Sequence, residues 1–139
     1  MSSLIKTLEV ATAGRGFHDV SADLQRLVAQ SSVASGLCHA FLRHTSASLI
    51  ITENADPDVR LDLEHFISRL APDGDPSYIH TMEGPDDMPA HIRSVLTCSE
   101  LTIPIREGRL LLGTWQGVYL WEHRYRAHRR LLDITIISA

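Results

Sequence analysis

Residues 37–53 read LCHAFLRHTSASLIITE, and the period of this stretch decides the fold class. Alternation along it puts Cys38, Ala40, Leu42, His44, Ser46, Ser48 and Ile50 on one face, with His39, Phe41 and Arg43 on the other. That is the period of an extended strand, here with a break or bulge near Thr45. His44 then shares a face with small and apolar neighbours that a core accepts.

Toward the N-terminus, residues 4–11 (LIKTLEVA) read as an opening strand, and GRGFHDVS turns the chain on Gly14 and Gly16. From Ser21 to Val33, Leu24, Leu27 and Val28 recur at helical spacing, with Gly36 as the stop. Beyond residue 53, Asn54 or Asp56 caps a helix entered through Pro57, whose buried stripe is Leu61, Phe66, Ile67 and Leu70 and which ends at Pro72. A loop rich in Pro, Gly and Asp follows. A short helix from Pro89 to Thr97 turns His91, Ile92 and Val95 inward. ELTIPI and RLLLGTWQGVYLWEH form a hairpin through Glu107-Gly108, and LLDITIISA closes the chain as an alternating strand. Strands outnumber helices without regular interleaving. The expected class is therefore α+β, a single domain over residues 1–139 with a largely antiparallel, sandwich-like sheet core and about three helices.

The 139 residues, 44% hydrophobic and 22% charged, suffice for one core. A formal net charge of -4 disfavours general nucleic-acid binding, because nothing overall recruits phosphate backbones. No apolar stretch approaches the roughly 20 residues of a membrane span. The start, MSSLIKTLEVAT, lacks the charged and apolar regions of a signal peptide, so the expected compartment is the cytoplasm. Cys38 and Cys98 stand sixty residues apart with no CxxC spacing, which suits two reduced thiols.

Histidine is the outlier, with eight copies. The segment 78–94, YIHTMEGPDDMPAHIRS, brings His80, Glu83, Asp86, Asp87 and His91 within twelve residues. Imidazoles and carboxylates together are the donor mixture of a divalent cation, and Pro85 and Pro89 reduce the entropy of ordering them. With His44, the loop would supply three neutral imidazoles and leave a coordination position open. The plain alternative is a solvated His80 and a His91 that merely begins a helix. Among the acids, Glu83 and Asp87 suit proton transfer or support of a ligating imidazole, as does Glu53 after the first strand. Asp56 reads more readily as a helix cap, and Asp58 favours the positive helix end.

HTSAS contains no nucleophile elbow, so Ser46 is read as a hydroxyl that holds a ligand's phosphate. HRYRAHRR offers guanidinium for a phosphorylated ligand, or else is a solvated loop. The stripe Trp115, Tyr119, Trp121 packs against a core or a subunit neighbour. Gln116 and Glu122 fall on the opposite face, where a buried polar group needs a partner.

Three blocks, HTSASLIITENADPDV, HTMEGPDDMPAHIRS and GRLLLGTWQGVYLWEHR, occur in this order. Together they resemble the YjbQ-like family, also called the secondary thiamine-phosphate synthase family. The resemblance covers essentially the whole chain. It implies a compact α+β subunit, commonly a homotrimer with the site near the subunit interface. It also implies a weak thiamine-phosphate synthase activity, which joins a pyrimidine pyrophosphate to thiazole phosphate and releases pyrophosphate. By motif position it implies a bound metal such as zinc on His44, His80 and His91. Glu53, Asn54 and Asp56 match the acidic stretch of the first block, Glu83 and Asp87 the second, Gln116 and Glu122 the third; His123 stays outside the metal set. Two other classes remain open: a metal-dependent hydrolase of a small phosphorylated or acylated metabolite, and a non-catalytic ligand-binding protein.

Overall fold

The computed structural model describes residues 3–139; Met1 and Ser2, the first positions of the expected domain, lie outside the described residues. The stretch 37–53 does divide near Thr45, into β3 (Gly36–Leu42) and β4 (Ala47–Glu53), and the two strands belong to different sheets. Parity flips at the crossing. Cys38, Ala40 and Leu42 point into the core from β3, whereas Ala47, Leu49 and the half-buried Ile51 do so from β4. The continuous alternation that grouped Ser48 and Ile50 with Cys38 therefore fails. Four residues between the strands are enough to reset which face looks inward.

The remaining elements are β1 (Ser3–Ala11), β2 (Gly16–Asp19), α1 (Ser21–Ser31), α2 (Pro57–Leu70), α3 (Asp87–Leu96), β5 (Glu100–Arg106), β6 (Arg109–Leu110), β7 (Gln116–Glu122) and β8 (Arg129–Ser138). One sheet runs β1-β8-β3-β5-β6 and the other β2-β7-β4, with every pairing antiparallel. A single core lies between them. Leu132, Ile134 and Ile136 of β8 alternate inward, as LLDITIISA requires, and meet Val118 and Leu120 of β7 together with Leu24 and Val28 of α1. Each such aliphatic side chain contributes about 1.5–3 kcal/mol on burial. The architecture is α+β, as expected.

The structure corrects several local expectations. GFHD is a short strand paired with β7 rather than part of a turn. Helix α1 stops at Ser31, with Ser32 left-handed. Gly36 instead opens β3, where a Cβ would lie 1.8 Å from the Ile137 carbonyl oxygen. The hairpin at Glu107-Gly108 pairs only two residues on each side before the chain leaves for the other sheet as β7. Helix α2 has its Asp56 cap, whose side chain accepts from Asp58 N at 2.9 Å, and Pro57 at its start. Of its expected stripe, only Ile67 is buried. Leu61, Phe66 and Leu70 are each more than half exposed. Helix α3 begins at Asp87, two residues before the expected Pro89, and turns Ala90 and Arg93 inward while Val95 faces out.

Candidate metal centre

The outer face of the three-stranded sheet is polar and aromatic, and α2 and α3 cover it. Phe17 stacks on Trp121 with ring centroids 4.4 Å apart. The indole N–H of Trp121 donates to Glu64 of α2 at 3.0 Å, and Glu64 pairs with the fully buried Arg93 of α3 at 2.7 Å. Trp115, the third member of the aromatic stripe, lies outside this layer and is 63% exposed. Next to Trp121 sits His123, fully buried, with Nε2 2.7 Å from the Ser48 hydroxyl. Burial first, then the guanidinium charges of Arg93, Arg15 and Arg130, push His123 down to about 2. This imidazole is neutral at ordinary pH and is held against the Ser48 hydroxyl.

The layer anchors the loop 71–86 against the β7–β8 connection. Arg15 pairs with Asp73 at 2.9 Å, and the Tyr125 hydroxyl donates to the same carboxylate at 2.7 Å. Gly84, at φ 102, lets the chain turn into α3. Asp86 then accepts from Arg124 Nε and Tyr125 N, both at 3.0 Å. Arg124 also donates to Asp87 Oδ1 at 2.8 Å and to the Glu83 carbonyl at 2.9 Å. Burial lifts the Asp87 carboxyl, but the His80 hydrogen bond and the Arg124 and imidazole charges outweigh it and hold the group below the usual carboxylate range.

The other Asp87 oxygen, Oδ2, lies 2.6 Å from His80 Nε2 and 3.2 Å from His91 Nε2. His91 comes within reach because it follows Asp87 by one helical turn. These three ligand atoms all lie within 4.8 Å of one another. Ligands 2.0–2.2 Å from a tetrahedral cation stand about 3.3–3.5 Å apart, so a cation held here would require the 2.6 Å His80–Asp87 contact to open. Without a cation, both Nε2 atoms donate to Oδ2; a divalent ion would replace those two protons. Two imidazoles and one carboxylate fit zinc-type coordination, and Arg124 fixes the carboxylate from behind.

His44 stands apart from this cluster. Its Nε2 accepts the Leu131 N–H at 2.8 Å, which places the ring proton on Nδ1. Burial and the Arg130 charge lower its basicity. It nonetheless shares a cavity of about 270 Å³ with His91, Thr45, Ser94 and Ser99. On the other side, His80 opens on a cavity of about 340 Å³ lined by Asp75, Tyr78, Thr81 and Pro85.

The other sequence-derived residues are not in the cluster. The Glu53 side chain accepts from Ala55 N and Asp56 N, Asn54 donates to the Thr114 and Gln116 carbonyls, and Gln116 accepts from Gly113 N. Asp56 caps α2. Glu122 is fully buried against Arg130 and Thr12, and Ser46 supports that pair through its carbonyl. Glu83 is exposed on the site loop. Sequence reasoning undervalued Asp86 and Arg124. The adjacent acids and the basic run were visible, but their pairing spans 38 residues.

The family model described as UPF0047 protein YjbQ-like matches residues 6–139. A UPF0047 protein of Synechocystis sp. is 57% identical over 129 residues, which cover 93% of this chain and 88% of the relative. UPF0047 protein YjbQ of Escherichia coli O157:H7 is 45% identical over 132 residues, covering 94% and 95%. Among solved structures, a conserved hypothetical protein from Thermus thermophilus superposes with a TM-score of 0.85 at 33% identity, covering 95% of this chain and 99% of that one.

Proposed function

The chain belongs to the UPF0047 protein YjbQ-like family, and from that premise we propose that it is a metal-binding cytoplasmic enzyme acting on a small phosphorylated metabolite. The single observation that carries this reading is the convergence of His80 Nε2, Asp87 Oδ2 and His91 Nε2. The reaction we assign is thiamine-phosphate synthesis, with pyrophosphate as the leaving group.

A divalent cation, zinc by its donor set, supplies charge neutralisation for pyrophosphate oxygens when bound. Asp87 cannot also serve as the base, because both its oxygens are engaged and its carboxyl is held acidic. We therefore move it from proton transfer to the ligand set. Glu83, exposed on the same loop, is the carboxylate left for proton transfer. His44, Thr45, Ser94 and Ser99 line the His91 side with imidazole and hydroxyl groups, which suits phosphate oxygens. In this reading His44 contacts the ligand, and would join the metal only if Leu131 N–H released its Nε2.

Ile79 and Met82 on the site loop and Val95 on α3 are all at least 83% exposed. Apolar side chains so open to water support a homotrimer whose subunit boundary runs beside the site.

Metal analysis of the purified protein tests the centre. Stoichiometric zinc is expected, with loss in a His80→Ala/His91→Ala double variant; equal and negligible metal in both sinks the reading. Assay of the thiamine precursors beside a panel of phosphorylated and acylated esters tests the reaction. Turnover of the esters alone reassigns the site to hydrolysis, and turnover of none leaves a binding protein.

A further inference from the structure

A second cavity, of about 320 Å³, lies between β2 and α2, away from the metal cluster. Arg15, Phe17, Pro57, Arg60, Leu61 and Glu64 line it. Its charges divide unequally. Arg15 is balanced by Asp73 in a two-pronged pair at 2.9 and 3.0 Å. Glu64 is balanced by Arg93, and its two oxygens are further engaged by Trp121 Nε1 and the Ser68 hydroxyl. Arg60 has no carboxylate within 4.0 Å among the described residues.

Arg60 is nonetheless held in place. Its Nη1 donates to the Glu53 carbonyl at 3.0 Å and to the Tyr119 hydroxyl at 3.1 Å, and its guanidinium lies 5.0 Å from the Tyr119 ring centroid. Both bonds use Nη1 and both acceptors are neutral. Nε and Nη2, which form one edge of the guanidinium fork, make no hydrogen bond among the described residues. That edge matches a carboxylate in two-point geometry. Beside it, Phe17, Pro57 and Leu61 provide an apolar wall, and Phe17 is backed by the Trp121 stack. A rigid guanidinium with one unmatched charge, an open fork edge and an aromatic neighbour describes a singly charged ligand with an apolar body.

We propose that this cavity is a second binding site, separate from the metal centre, for a small organic carboxylate whose apolar portion rests on Phe17 and Leu61. One unmatched positive charge favours a monoanion over a dianionic phosphate ester. The site does not depend on the function proposed above.

The test titrates benzoate, acetate, benzyl alcohol and phenyl phosphate against the 139-residue chain with a chelator present, followed by amide NMR. Benzoate is expected to bind saturably, to shift the amides of Gly16, Phe17, Arg60 and Leu61, and to bind at least about tenfold more tightly than acetate through its buried ring. Benzyl alcohol should not saturate. Arg60→Gln should weaken benzoate at least about tenfold, by loss of the charge-assisted fork. Arg60→Lys should fall between, and it serves alone if the glutamine variant does not fold. The His80→Ala/His91→Ala double variant should bind benzoate as the unaltered protein does, which separates this site from the metal centre. The proposal is overturned if no benzoate binding saturates, if the shifts centre on His44 and His91, or if Arg60 substitution leaves affinity unchanged. Phenyl phosphate binding more tightly than benzoate would overturn the carboxylate assignment.

Discussion

Acid should destabilise this protein through His123, and the size of the effect follows from its burial. The ring is fully buried, beside Arg93 and Arg15, and its basicity is pushed from 6.5 down to about 2. In the unfolded chain the same ring takes a proton near its ordinary value. Below pH 6.5 the unfolded state therefore binds a proton that the folded state refuses. Stability is fully present above 6.5 and is lost as pH falls toward about 2, at about 1.4 kcal/mol per pH unit. At about pH 5 the accumulated loss is about 2 kcal/mol. His123→Gln places an amide nitrogen where Nε2 meets Ser48 and cannot be charged. Urea denaturation at about pH 7.5 and pH 5, with a chelator present so that metal release does not enter, should show the variant losing about 2 kcal/mol less than the unaltered protein across that interval. Equal losses in the two proteins would refute the argument. If the variant does not fold, the imidazole resonances of His123 in the unaltered protein should stay unshifted from about pH 7.5 to 5; a titration centred in that range would refute it equally.

The buried Glu122–Arg130 pair supports a second expectation. Glu122→Gln leaves Arg130, 3% exposed, without its counter-charge, and should cost about 3–5 kcal/mol in chemical denaturation. The carboxyl of Glu122 is drawn up by burial but held below its ordinary value by Arg130 and Thr12. The pair's contribution is thus present above the unfolded value of 4.5 and is lost as pH falls through the lower folded one. At the proposed metal centre, Arg124→Gln frees the Asp87 Oδ1 side and should weaken the proposed zinc binding about 10–100-fold while leaving the secondary structure intact; competition with a colorimetric chelator reads it, and unchanged affinity would remove Arg124 from the centre. Iodoacetamide on the folded protein should modify the exposed Cys98 and spare Cys38, which is buried and whose thiol burial pushes up to about 11. Mass mapping of the alkylated peptides checks this.

Much of the chain was legible because its signals are local. The Asp56 cap and Pro57 act within one helical turn, so the start of α2 could be placed from residue types alone. Strand β8 alternates over its length because one face meets the core. His80 and His91 could be nominated as ligands because a loop and one helical turn suffice to join their segment, but the third ligand named with them was His44, and the structure puts Asp87 in that place. Expectations failed where the outcome depends on distant partners. Composition gives no indication that β7 leaves the β5–β6 hairpin for β4, because pairing in either sheet satisfies the same backbone groups equally well. The stripe of α2 was wrong for a related reason. Helical spacing identifies an apolar face without identifying what covers it, and Leu61, Phe66 and Leu70 stay more than half exposed.

The same division applies to LCHAFLRHTSASLIITE. Residue types and alternation pointed to one extended strand with a break or bulge near Thr45, since backbone sterics and side-chain period are properties of neighbours. They could not establish that the halves enter opposite sheets, that inward parity changes between them, or that His44 Nε2 is occupied by Leu131 N–H from 87 residues away. Those outcomes depend on contacts whose partners are brought together only by chain folding. Asp87 illustrates the consequence: a carboxylate nominated for proton transfer becomes a fixed acceptor between two imidazoles and a guanidinium once Arg124 is beside it.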